Sequence, residues 1–107
     1  MRGDIAVEFM RVLKVHGTTC IGGVSRLTAI SLGMTPREAA LPYQGENRSE
    51  SRTEWQYQNA WVATILKPAG LVTTMSKGAY TFTDDGDSVF DATGRPDVRY
   101  IWSKIGI

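Results

Sequence analysis

The chain has 107 residues, a net charge of +1, 42% apolar and 21% charged residues. Those values describe one folded domain around one core, and they exclude a low-complexity or polybasic chain. With one Cys and one His in the sequence, an internal disulfide and a thiolate zinc cluster are excluded, and no metal or other cofactor is expected.

No apolar run approaches the length needed to span a membrane. Asp4 and Glu8 interrupt the segment in which a secretory leader needs a continuous apolar stretch, so a cytoplasmic location is expected. Asp4 is a cap for a helix over residues 5–15, with Ile5, Phe9, Val12 and Leu13 on one face and Gly17 as its stop. His16, at the end of that helix, and Cys20, beyond it, are assigned structural roles. A second helix is expected over about residues 23–32, ending at Gly33. Thr35-Pro36-Arg37-Glu38 predicts a third, because Thr35 can cap, Pro36 suits the first helical position and Glu38 completes a capping box. Pro42 ends it. Residues 43–53, YQGENRSESRT, read as a polar loop carrying Arg48 and Arg52 among acidic neighbours.

The longest periodic segment runs from about Thr53 to Ala69. On a helical wheel Trp55, Gln58, Trp61, Val62, Ile65, Leu66 and Ala69 share an inner face. The outer face then carries Thr53, Gln56, Ala60, Ala63, Thr64 and Lys67, with Arg52 and Asn59 at its flanks. Pro68 should distort the last turn and Gly70 should end the helix. Two strands follow, LVTTM and AYTFT, joined by Ser76-Lys77-Gly78 as a hairpin. Thr83-Asp84-Asp85-Gly86 starts another helix with Thr83 as cap; it carries Val89 and Phe90 and stops before Gly94. In the tail RPDVRYIWSKIGI, Val98, Ile101, Trp102 and Ile105 fit a helix, whereas Val98, Tyr100 and Trp102 fit a strand. The pattern leans to helix.

Helices, a long amphipathic helix, a two-stranded hairpin and a closing helix form the order of a winged helix-turn-helix. That fold class is mainly α with a small β-hairpin wing, its long helix suited to a major groove. The expected division is a winged-helix domain over residues 1–93 and a C-terminal extension over residues 94–107, for packing or an interface. The near-neutral charge requires any nucleic-acid contact to come from a local patch.

The segment WVATILKPAGL…KGAYTFTDDG resembles the N-terminal winged-helix domain of Mrr-type restriction proteins. The elements that carry the resemblance are Trp61, Leu66-Lys67-Pro68-Ala69-Gly70-Leu71, Lys77-Gly78, and Thr83 with Gly86. The preceding LPYQGENRS is similar to the family's Leu-Pro…Gly loop. Residues 41–86 are covered well, and the first forty only by helix order. The chain departs from the family at Gln58, Ala63 and Pro68, where basic residues are usual, and each change removes positive charge from the long helix. Mrr-type proteins also carry a nuclease domain of the Asp…Glu-x-Lys kind. This chain has no Glu-x-Lys or Asp-x-Lys triplet and no GxxxxGK loop, so no catalytic residue is assigned. A non-catalytic module, or one domain of a longer nuclease, is expected.

The resemblance implies double-stranded DNA as partner, with a modified base such as 5-methylcytosine as its target. On the outer face, Gln56 and Asn59 have the amide chemistry that pairs with adenine, while Ala60, Ala63 and Thr64 are small enough to meet a pyrimidine C5-methyl. Arg48, Arg52, Lys67 and Lys77 are the phosphate contacts. A winged helix used for protein contact or dimerisation, through Tyr100, Ile101, Trp102 and Ile105, is the alternative, as is a small transcriptional regulator.

Overall fold

The computed structural model describes residues 2–43 and 53–107. Six helices occur in the described residues: α1 (Arg2–His16), α2 (Ile21–Ser31), α3 (Pro36–Ala39), α4 (Glu54–Leu66), α5 (Asp84–Ser88) and α6 (Val98–Ile105). Three strands, β1 (Thr19–Cys20), β2 (Val72–Thr74) and β3 (Ala79–Phe82), form an antiparallel sheet in the order β1-β3-β2. The architecture is that of a winged helix: α2 and α4 pack as a helical pair, and β2 and β3 project as the wing.

Helix α1 lies at the centre, packed against α2, α4, α6 and β3. It buries Ile5, Ala6, Phe9, Met10, Val12 and Leu13, a spacing that gives a broad apolar stripe rather than a single seam. The Phe9 ring meets Tyr80 of β3 edge to face, with centroids 5.7 Å apart. The stop at Gly17 is as expected: its φ is +75° and its N–H bonds Leu13 O at 2.9 Å. Strand β1 was not foreseen. It pairs Thr19 with Tyr80 and Cys20 with Ala79, tying the start of α2 to the wing. A two-residue strand has no periodicity to read.

Thr35 and Glu38 form the expected capping box, with Glu38 N–H donating to Thr35 Oγ1 at 3.1 Å and Thr35 N–H to Glu38 Oε1 at 2.9 Å. Donation from the Thr35 N–H, and then from its hydroxyl, holds the Glu38 carboxyl below its usual pKa. Helix α3 is a single short turn ending before Pro42, which pairs with Thr53 as an isolated bridge. With Glu54 N–H bonded to Leu41 O at 2.9 Å, α4 begins where α3 has just ended.

The end of α4 and the start of α5 interlock. Gly70, at φ +80°, turns the chain directly into β2, and Thr83 Oγ1 donates to Gly70 O while accepting from Gly86 N–H. Gly86 is buried, and a Cβ there would stand 1.8 Å from Leu71 O. Helix α5 ends at Ser88, earlier than the expected limit before Gly94. Beyond it Val89 is buried, and Phe90 packs against Phe82 with ring centroids 5.5 Å apart.

The tail is helical. Asp97 caps α6 by accepting from Tyr100 N–H at 3.1 Å, and Gly106 closes it at φ +82°. Ile101 is fully buried, and Trp102 Nε1 donates to Gly3 O of α1 at 3.1 Å. Tyr100 donates to Asp85 at 2.9 Å, and that hydrogen bond raises the phenol's pKa above its ordinary value.

Candidate nucleic-acid interface

Helix α4 starts with a second capping box. Thr53 Oγ1 accepts from Gln56 N–H at 3.1 Å, and Gln56 Oε1 accepts from Thr53 N–H at 2.8 Å. The pattern Thr-x-x-Gln is in the sequence and could have been read there. Removing the cap with Thr53→Ala is expected to cost about 1 kcal/mol, measured by urea denaturation. The box orients the Gln56 amide, because its Oε1 already accepts one bond and has one lone pair left for any outward donor.

The buried face of α4 is Trp55, Asn59, Val62, Ala63 and Leu66. That corrects the helical-wheel assignment in three places. Asn59, expected at the flank of the reading face, is 0% exposed and bonded to Thr28 and to Trp55 O. Ala63 is 1% exposed. Trp61, expected inward, is 41% exposed. The physical reason is the opposing surface: α2 buries the small residues Ser25, Thr28 and Ala29, so α4 presents its own small side chains inward. A wheel that ranks residues by hydrophobicity turns the helix towards Trp61 instead.

The outward set is therefore Gln56, Trp61, Thr64 and Lys67, all exposed, with Ala60 half-buried among them. Tyr57 stands on the same side and its ring lies 4.5 Å from that of Tyr43. The Thr64 hydroxyl donates to Trp61 O at 2.6 Å, so it offers a methyl group and an acceptor outward. Arg48 and Arg52 lie outside the described residues.

Lys67 joins this face to the wing. Its Nζ is 3.3 Å from Thr74 Oγ1 on β2. The wing itself is short: Met75 N–H bonds Ala79 O at 2.7 Å, and Ser76–Gly78 form one tight turn between them. Lys77 sits at its tip, exposed, in the left-handed region at φ 61° and ψ 32°. A non-glycine side chain in that conformation costs about 1 kcal/mol. Lys77→Gly is thus expected to leave stability unchanged or raise it by up to about 1 kcal/mol, as thermal unfolding would show. A fall in stability would mean that the lysine side chain supports the turn. No helix among the described residues is long and apolar enough to cross a membrane.

Comparison of the chain with protein-family models, with curated proteins and with solved structures finds no match.

Proposed function

We propose that the protein is a winged-helix module that binds double-stranded DNA, with α4 in the major groove and the wing along the backbone. One observation carries this reading: Lys67, on the outer face of α4, bonds Thr74 of the wing strand β2, and that strand leads into the turn that exposes Lys77, which makes one strip from helix to wing tip the natural contact surface. Lys77 keeps a basic side chain at a position where glycine costs less, and such local strain is characteristic of functional sites.

Within this reading Lys67 and Lys77 contact phosphate, which sets register, while Gln56, Ala60 and Thr64 stand nearest the bases. Ala60 and the Thr64 methyl suit a pyrimidine C5-methyl, whether of thymine or of 5-methylcytosine; the resemblance to Mrr-type proteins favours the second as the proposed target. The resemblance to Mrr-type restriction proteins supports a place in restriction or phage defence in the cytoplasm. There the module would serve a nuclease domain or subunit, itself performing no catalysis.

The test is a mobility shift on plain, methylated and hydroxymethylated duplexes at two salt concentrations. Binding is expected at low salt, tightest to a modified duplex. Lys77→Ala should lower the slope of log affinity against log salt by about 0.9. No shift on any duplex at low salt would reject the reading.

A second reading is protein contact through the same strip, favoured by the exposed Trp61 (41%) and Met75 (54%). The C-terminal extension is less suited to that role, because Ile101 is fully buried within its own chain. Concentration-dependent dimerisation abolished by Met75→Glu, without DNA binding, would favour it.

A further inference from the structure

The contact between α2 and α4 contains a closed polar circuit inside an otherwise apolar core. Thr28 and Asn59 are both 0% exposed. The Thr28 hydroxyl lies 2.9 Å from Asn59 Oδ1 and 3.1 Å from Ser25 O, with one proton for the two. Asn59 Nδ2 donates to Trp55 O at 3.0 Å, and Trp55 Nε1 donates to Ser25 O at 2.7 Å. The two helices are thus bonded at two points one turn apart along α4.

Apolar side chains of similar volume would fill this space and hold the helices together as firmly, since replacing both members of a buried polar pair is close to neutral. What apolar contacts lack is a unique register. Rotating α4 by one position strands the Asn59 amide without partners in a dry interior, which is costly. A single buried Asn fixes register in coiled coils by the same physics.

We propose that the Thr28–Asn59 pair is a positioning device that sets the rotation of α4. It thereby selects which side chains of α4 face a duplex. Its consequence for selectivity rests on the DNA-binding reading; its effect on helix orientation does not. Asn59 acts on recognition from inside the core, without touching a base.

The test is the double variant Thr28→Val, Asn59→Leu in the full chain, compared with wild type and with Thr28→Ser. Backbone residual dipolar couplings report the orientation of α4 relative to α2. The double variant is expected to unfold within about 8 °C of wild type, with α4 couplings that no longer fit the wild-type orientation. In selection from randomised duplexes, its enrichment of the preferred sequence should fall about tenfold or more, with low-salt affinity for bulk duplex retained. Thr28→Ser keeps the hydroxyl and should match wild type in both readouts. Wild-type couplings in the double variant, or unchanged enrichment, would overturn the proposal. A double variant that does not fold overturns it too, by making the pair a requirement for stability. If the wild-type chain binds no duplex, the DNA reading falls, while the couplings still decide whether the pair sets the orientation.

Discussion

Gly86→Ala is expected to lower folding stability by at least about 3 kcal/mol, a loss of roughly 12 °C or more in Tm. The added methyl carbon would stand 1.8 Å from Leu71 O and 3.2 Å from the Phe82 ring. The first of these is a backbone atom of the turn that joins α4 to β2, so no side-chain rotation relieves the clash. The backbone must move, and with it Thr83, whose hydroxyl bonds Gly70 O and whose N–H bonds Leu71 O at 3.3 Å. Gly86 is thus required by space, whereas Gly70 is required by its positive φ. Urea denaturation of the two proteins measures the effect, and an unchanged midpoint would show that the α5 start and the wing base do not interlock as described.

The second large effect is expected on deleting residues 94–107. Their helix buries Ile101 fully and packs Val98, Trp102 and Ile105 against the core. The segment also supplies Asp97 N–H to Val89 O at 2.7 Å and Trp102 Nε1 to Gly3 O at 3.1 Å. Loss of one buried Ile and one half-buried Trp alone amounts to about 4 kcal/mol or more. A chain ending at Thr93 should therefore be largely unfolded or aggregated, as circular dichroism and sedimentation would show. A folded, soluble monomer with wild-type stability would make α6 an appendage rather than part of the core.

Much of the fold was legible because its signals are local. The capping box at Thr35, the cap at Thr83, and the stops at Gly17, Gly33 and Gly70 each depend on residues a few positions apart. The structure has the caps and the stops at Gly17 and Gly33 where the sequence places them, whereas α4 ends at Leu66, ahead of the positive φ at Gly70. The orientation of α4 was not legible. Whether Asn59 is solvated or buried depends on Thr28, 31 positions away, and nothing in the helix's own pattern announces that partner. Trp61 erred in the opposite direction: its hydrophobicity suggests the core, but Val62 and Leu66 take the inner positions. The candidate site consequently shrinks on the helix to Gln56, Ala60, Thr64 and Lys67, while Lys77 gains weight from a backbone conformation that sequence reading cannot supply.

The most direct test of the proposed DNA contact is amide chemical-shift mapping of the labelled chain titrated with a short duplex at low salt. The expected result is a set of perturbations running along Gln56, Ala60, Thr64, Lys67, Thr74 and Lys77, with the amides of α6 unchanged. Perturbations centred on α6 and α1 instead, or none at any duplex concentration, would contradict it.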